Sequence, residues 1–541
     1  MKKQLLLLIA LMAILLPAAA ARTYDFKEGV LYYSFTSDST VEVAPGVPPG
    51  YTSPYRGDIV IPETVTHEGT EYTITRVGDF AFYGSYSLTS IVIPNTVTYI
   101  GTSSFLRCVS LTSIDIPNSV THINVSAFSE CRGLKHLYIP SSVTNITVTA
   151  FAKCPGLESI TVDEANPVYD SRENCNAVIE TATNIMIQGC QNTVIPESVK
   201  TFGQYVFAGV TGLTSFVIPE GTTRIPNYMF MDCSNLTYVE IPNTVKSIES
   251  AAFEGCSSIH HLDIPNSVWS FGWDTFVNMT SLESFYVPSS VTYINEGCFS
   301  GCSALTSLTV ASDNQYYDSR DNCNAIIETA TNKLMASSQN TVIPSTVTAI
   351  GYSAFSGNVM TSIDVPNNVT SIERYAFGHC PNLTKATLPD SITTIEEATF
   401  YQCEMLQSIT IPALVTSIGD NGFRLCYALN QVVSMPIVPP SLTQYTFAES
   451  YGATLFVPNE SVEAYRAHQY WGKFSHIVPF IGGGPGDVDG DGSIGINDVT
   501  SIIDMVLNGG DDTPAWYDVD GDGMVGINDV TTILDMLLAD N

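Results

Sequence analysis

Positive charge is the scarcest resource in this sequence. Lysine and arginine together number 21 against 54 acidic residues, a net charge of −33 over 541 residues. A chain without a basic face cannot neutralise phosphates, and an anionic membrane repels it for the same reason, which argues against nucleic acid and lipid headgroups as partners. Charge of either sign is also sparse, at 14 % against 45 % hydrophobic residues, so this is not a disordered acidic chain. Beyond the first two dozen residues no apolar run approaches the ~20 residues of a spanning helix, and no transmembrane segment is expected. A phosphate loop, a nucleophile elbow and a zinc motif are all missing, and paired carboxylates crowd together only near the C-terminus. The chain therefore reads as non-enzymatic.

What is present begins with Lys2 and Lys3, an apolar run from Leu5 to Leu16, and Pro17 before Ala18–Ala21. That is the pattern of a cleaved secretory signal over residues 1–21, too short to anchor. The mature chain is expected to be exported, extracellular or associated with the cell surface.

From there a repeat takes over. Ile93-Pro94, Ile116-Pro117 and Ile139-Pro140 are followed by Ile195-Pro196, Ile218-Pro219, Ile241-Pro242, Ile264-Pro265 and Val287-Pro288, and each run steps by 23 residues. Ile343-Pro344, Val365-Pro366, Leu388-Pro389 and Ile411-Pro412 continue it with steps of 22, 23 and 23. In one unit Leu111, Ile114 and Ile116 form a strand that Pro117 ends. Val120 and Ile123 then point inward, and Ala127-Phe128 leads through a helical or 3₁₀ turn to Cys131. No unit can bury this set alone, whereas stacking at the strand spacing of about 4.7–4.9 Å aligns equivalent positions into a solenoid. Twice the step grows to 56, adding 33 residues. Tyr169-Asp170-Ser171-Arg172 through Asn184 returns 148 residues later as Tyr317-Asp318-Ser319-Arg320 through Asn332, each read as an extra, hairpin-like coil. Such a coil serves either as a ligand loop or as an irregularity in the stack.

With strand, Pro, Phe and Cys in register over about a dozen copies, the chain resembles the BspA-like leucine-rich repeat family of bacterial surface and secreted proteins. The resemblance implies a leucine-rich repeat solenoid over 79–430, a β-rich entry cap over 22–78 and an exit cap over 431–480. It also implies adhesion to host matrix proteins or other bacteria.

Nine of the thirteen cysteines follow a Phe by three residues (Cys108, Cys131, Cys154, Cys233, Cys256, Cys302, Cys380, Cys403 and Cys426), while Val210, Met279, Ser85 or Asn358 take that place elsewhere. This suits a small buried site rather than a disulfide framework. Cys175 and Cys190 lie near enough in sequence to pair, yet Ser338 stands at the second copy's equivalent of Cys190.

After a Gly-rich linker at 481–486 the composition changes. From Asp487 onward there are thirteen Asp and no Glu, Lys, Arg or His. Asp487, Asp489, Asp491 and Asp498 occupy positions 1, 3, 5 and 12 of a loop with Gly492 at 6. Asp518, Asp520, Asp522 and Asp529 repeat it around Gly523. Carboxylates so crowded need a hard cation, and the spacing is that of a calcium loop, with the Ser493 and Met524 carbonyls at position 7. Two Ca²⁺ ions are expected. Amphipathic helices follow on Val499, Ile502, Ile503, Val506, Leu507 and on Val530, Ile533, Leu534, Leu537, Leu538. With no entering helix, this loop–helix pair resembles a dockerin over residues 487–541. The resemblance implies a cohesin-like partner read by Ile496, Asn497, Ile527 and Asn528, although dockerins usually place hydroxyl residues there and bases farther along. A calcium clasp that only stabilises the C-terminus is the other reading.

The solenoid's own recognition face follows from register. Asp115, Tyr138, Glu240, Asp263, Tyr286 and Asp364 sit just before the last apolar strand residue, flanked by His136, Tyr238 and His261. They form either a grip for a protein or glycan ligand or an ordinary solvated sheet face. The expected function is that of a secreted or surface-attached, adhesin-like binding protein with a calcium-dependent attachment module. The alternative is an accessory subunit of a cohesin–dockerin assembly that degrades polysaccharide outside the cell.

Overall fold

The computed structural model describes residues 24–48, 53–480, 488, 494–508, 519 and 525–539. The expected signal peptide at 1–21 and the linker at 481–486 lie outside these residues. The chain divides into two compact units at Ser257/Ser258.

The first unit opens with an antiparallel meander, Phe26–Glu28, Leu31–Phe35 and Thr40–Ala44, whose last strand pairs in parallel with Thr70–Val77. Short parallel strands then add one per coil, Tyr99–Ile100, His122–Ile123 and Asn145–Ile146. The meander buries Tyr33, Val41 and Val43 and so closes the apolar end of the stack. Inside, Phe82, Phe105, Phe128 and Phe151 stack with ring centres 5.0 to 5.4 Å apart and planes 1–3° from parallel.

Two local expectations require correction. Leu111, Ile114 and Ile116 are buried as expected, but Leu111–Ile116 is not hydrogen-bonded strand. The Phe corners are also not helical or 3₁₀. Ser103 and Arg107, Ser126 and Glu130, and Thr149 and Lys153 all have φ between 53° and 66°, which interrupts any right-handed run. The corner N–H groups reach outward instead. Phe82 N donates to Ser104 O, Phe105 N to Ala127 O and Phe128 N to Ala150 O, at 2.7–2.8 Å. A helix would spend those donors within its own coil, whereas this corner spends them on the next one.

The cysteine position completes the corner. The thiols of Cys108, Cys131 and Cys154 each donate to the carbonyl of the Phe one coil back (Phe82, Phe105, Phe128) at 3.2 Å. In the second unit Cys302, Cys380, Cys403 and Cys426 do the same toward Phe276, Phe355, Phe377 and Phe400 at 3.1–3.2 Å. All thirteen cysteines are free and buried, Cys175 and Cys190 included.

The long segments are not full coils. In the first unit Tyr169–Asp170, Ala177–Glu180 and Ile185–Gly189 form an antiparallel hairpin array whose last strand runs parallel to Thr201–Phe202. It has no Phe–Cys corner of its own. Lys153 N donates directly to Ala208 O at 2.9 Å, so the corner ladder skips the whole insertion. The segment is a wedge present only on the strand side. Its Tyr169 hydroxyl accepts Ile146 N at 2.9 Å, capping a donor at the end of the preceding strand ladder. In the second unit Gly301 N reaches Ser356 O, and Tyr317 caps Ile294 N, both at 2.9 Å.

The second unit ends in parallel strands Gln431–Ser434, Thr454–Pro458 and His476–Phe480. They are closed by buried Trp471, whose indole N–H donates to Pro440 O, and by Tyr465, whose hydroxyl donates to Pro436 O. Beyond it lie helices α1 (Ile496–Asn508) and α2 (Ile527–Ala539), which share a small core of Val488, Val499, Ile502, Val519, Val530 and Ile533. The apolar stripe expected on these helices is only partly covered, because Ile503, Val506, Leu507 and Leu534 are exposed. Among the described residues no helix is long and apolar enough to cross a membrane.

Burial fixes the chemistry of the thiols. Cys108, Cys154 and Cys233 are pushed up from the ordinary 9.0 to about 12 by desolvation. A raised thiol value leaves stability unchanged below the unfolded value and erodes it as pH climbs from about 9 toward about 12. Folded protein at pH 8 is therefore expected to show no thiol reactive to Ellman's reagent and thirteen after guanidinium denaturation. Its urea midpoint should fall steadily above about pH 9. Rapid labelling of the native chain would contradict the buried ladder.

Candidate functional site

The residues chosen by register all stand exposed. In the first unit these are Asp115, His136, Tyr138, Tyr238 and Glu240, and in the second His261, Asp263, Tyr286 and Asp364. Their neighbours across the ladder are Thr161 for Tyr138, Ser215 for Tyr238, Thr309 for Tyr286 and Thr387 for Asp364. The residues do not form one continuous sheet. His136–Ile139 pairs only with Ser159–Val162, and Ser215–Val217 only with Tyr238–Glu240, because successive coils relax out of strand geometry between these pairs.

Several of these side chains are held in place. The Tyr138 hydroxyl donates to Asp163 Oδ2 at 2.5 Å, while His136 Nδ1 meets Ser159 Oγ at 2.8 Å. The bond to Asp163 raises the Tyr138 phenol and lowers the Asp163 carboxyl below its ordinary value. In the second unit His261 Nδ1 lies 3.2 Å from Ser284 Oγ, and Thr387 donates to Asp364 Oδ1 at 2.6 Å.

Sequence reasoning missed what the long segments build. Arg172 grips Asp170 with two prongs, Nε to Oδ1 at 2.7 Å and Nη2 to Oδ2 at 2.5 Å, and reaches Asn184 Oδ1 with Nη1 at 2.7 Å. Thr181 adds a donor to Asp170 at 2.8 Å. The same clasp recurs around Asp318, with Arg320, Asn332 and Thr329. Burial works to raise the Asp170 and Asp318 carboxyls, and the Arg and Thr donors outweigh it, leaving both lowered. The duplicated Asp-Ser-Arg motif was the available signal, although its pairing across two positions of one strand end is not visible in spacing alone.

Of the expected calcium ligands, Asp487, Asp489, Asp491, Ser493, Asp518, Asp520, Asp522 and Met524 lie outside the described residues. Among the described residues no group of three or more metal-type side chains gathers. The two described ligands are informative. Asp498 and Asp529 are 1 % and 0 % exposed. Asp498 accepts Val488 N and Gly495 N at 2.5 and 2.6 Å, and Asp529 accepts Val519 N and Gly526 N at 2.5 and 2.7 Å. Each carboxylate ties the start of its loop to its ninth position, in a segment with no Lys, Arg or His. Buried carboxylates without a base in their own segment fit a divalent cation as the balancing charge. Ile496 and Ile527 are 65 % and 67 % exposed, and Asn497 and Asn528 are exposed beside them.

The family model described as BspA type leucine rich repeat region matches residues 65–176, 186–320 and 326–454 in six copies. No curated protein matches the chain. Among solved structures, a leucine rich cell surface protein from Faecalibacterium prausnitzii is 25 % identical over 83 % of this chain and 98 % of that chain, with a TM-score of 0.39. A leucine-rich repeat protein from Bacteroides ovatus is 23 % identical over 84 % and 100 %, TM-score 0.35. The pneumococcal vaccine antigen PcpA is 14 % identical over 84 % and 98 %, TM-score 0.40.

Arg172→Ala strips the half-buried Asp170 of its principal donor. After allowance for solvent screening, a loss of about 1–2 kcal/mol is expected in urea unfolding at pH 7. Asp170 is a lowered carboxyl, so its contribution is present above the ordinary aspartate value of about 3.9 and is lost as pH falls through its lowered value. The gap between variant and parent should therefore narrow as pH falls below the ordinary aspartate value of about 3.9. A gap that does not narrow with acidification would show that the clasp acts by packing rather than by charge.

Proposed function

The chain belongs to the BspA type leucine-rich repeat family, and we propose that it is an exported, non-enzymatic, adhesin-like binding protein of the bacterial surface. In this reading the outward strand positions recognise a protein or glycan, and the C-terminal loops bind two Ca²⁺ ions in a dockerin-like module that attaches the chain. The observation that carries the reading is the division of labour along each strand. Alternate residues such as Leu137, Val239 and Phe285 are committed to the core. Their neighbours Tyr138, Glu240 and Tyr286 are exposed on a backbone that neighbouring coils immobilise. Rigid presentation of aromatic and acidic side chains lowers the entropy cost of binding.

The alternative, an accessory subunit of a cohesin–dockerin type assembly, draws support from the two exposed isoleucines, Ile496 and Ile527, at equivalent places on α1 and α2. An apolar side chain so exposed on each helix suits a protein partner.

Calorimetry on the full chain is expected to titrate two Ca²⁺ ions, with Asp487→Ala or Asp518→Ala each removing one. Flow cytometry of the producing cells should show the protein leave the surface on chelation and on the double substitution. Tyr238→Ala with Glu240→Ala should weaken capture of immobilised matrix proteins by roughly tenfold without altering that retention. Surface retention indifferent to calcium would remove the attachment role and leave a terminal clasp.

A further inference from the structure

Beside the wedge of the first unit runs a groove of about 580 Å³, within the roughly 300–1,000 Å³ of clefts that hold small ligands. Thr161 and Asp163 line it, together with Asp170 and Thr181 of the clasp and with Asn174 and Asn176, called here the lip. Tyr138, exposed and in register with Thr161, stands at its edge with its hydroxyl on Asp163. We propose that this groove binds a neutral glycan, with Tyr138 as the flat platform for a sugar ring. The hydroxyls and amides of Thr161, Thr181, Asn174 and Asn176 serve as its hydrogen-bonding set. The proposal rests on the recognition reading above and narrows it to a ligand class and a place.

The chemistry of the lining selects the class. Arg172 is the cation in the groove, and its Nε, Nη1 and Nη2 each already donate to Asp170 or Asn184. Asp163, Glu164 and Glu173 would repel an anion, so acidic glycans and phosphates are disfavoured. An apolar peptide would leave the many polar groups unpaired. A basic peptide would answer the negative charge, but the second wedge argues against it. That wedge keeps Tyr286 beside Thr309, the Asp318–Arg320–Thr329 clasp, Asn322 and Asn324, while Ala311 and Ser312 stand where the first has Asp163 and Glu164. The aromatic, hydroxyl and amide groups are shared in full, whereas of Asp163, Glu164 and Glu173 only Glu173 keeps an acidic counterpart, Asp321.

The lip is also held in an unusual backbone. Glu173, Asn174 and Asn176 have φ of 59°, 52° and 52°, and Asp321, Asn322 and Asn324 repeat this at 57°, 53° and 51°. Left-handed residues in such a run are costly for non-glycine side chains and persist where surrounding structure dictates them. Here the backbone that carries both asparagines is set before any ligand arrives, and Asn176 Nδ2 donates to Asn192 O at 3.2 Å, which favours binding.

The full chain should be screened on an array of neutral oligosaccharides of glucose, galactose, mannose and xylose, with hits titrated by calorimetry. Tyr138→Ala combined with Tyr286→Ala is expected to weaken the hit at least tenfold. Asn174→Gly, which tolerates the left-handed backbone and removes only the amide, should weaken it at least threefold. Tyr427→Ala, an exposed tyrosine elsewhere, should leave it within twofold, and all variants should melt with the parent. The proposal is overturned if no neutral glycan binds below millimolar concentration, if a hit ignores both substitutions, or if an oligolysine peptide binds in preference. In each case the recognition reading survives where matrix-protein capture still depends on Tyr238 and Glu240. It falls as well where that dependence is absent.

Discussion

The stacks depend on one spacing, the distance at which one strand or turn can hydrogen-bond to the next. At the Phe corners the backbone N–H of one coil meets the carbonyl of the coil after it, so the rings they carry are brought to 5.0–5.4 Å and nearly parallel in the first four coils. The same spacing puts each cysteine thiol over the carbonyl of the preceding Phe. A thiol is small, apolar and a weak donor, and all three properties are used there. Val210 and Met279 fill the place without donating, while Ser85 shares a hydrogen bond with the Ser53 hydroxyl at 2.7 Å and Asn358 donates to Ser338 O. A Phe and a Cys three residues apart are therefore two readouts of one backbone ladder.

The wedges show what happens when that ladder is kept on one side and interrupted on the other. The corner passes from Lys153 straight to Ala208, while the strand side takes in three additional strands. The strand ladder that stops at Asn145–Ile146 leaves an N–H with no strand beyond it, and a buried unpaired donor would cost about 1–3 kcal/mol. The Tyr169 hydroxyl answers it, as Tyr317 answers Ile294. The tyrosine opening each duplicated motif is thus a structural plug, and the Asp–Arg clasp that starts at the next residue braces the hairpin that follows.

This division explains what the sequence disclosed. Periodicity in Ile-Pro, Phe and Cys was enough for the solenoid and its inward set, because a strict 23-residue step leaves only stacking to bury Leu111, Val120 and Phe128. It was not enough for the corners. Ser126, Glu130 and Lys153 carry no local mark of a left-handed conformation, which the inter-coil bonds impose on ordinary residues. The 33-residue insertion was legible as a hairpin from its alternation, yet its status as a wedge depends on Lys153 meeting Ala208, a contact across the insertion that no local pattern encodes. The absence of a Phe-x-x-Cys from residues 155–195 was the one available hint. The outward positions were readable because side chains alternate along a strand. The Asp170–Arg172 clasp folds back within a turn, where alternation gives no guidance.

Charge and calcium form a single argument. A net −33 must be tolerated by spreading carboxylates over exposed coils, and the scarce cations are used locally, Arg172 on Asp170, Lys135 on Glu158 and Arg107 on Glu130. The C-terminal segment from Asp487 onward contains none of its own. Asp498 and Asp529 are nevertheless buried there, each drawing two backbone N–H groups to close a loop. On the proposed reading calcium takes the part that lysine and arginine play elsewhere, with the difference that its supply is set by the surroundings. Sites in extracellular modules have dissociation constants of about 10⁻⁴–10⁻³ M, so on that reading the order of this segment would follow the calcium around it, while the solenoid, held by backbone ladders and apolar rings, would keep its face whatever the calcium level.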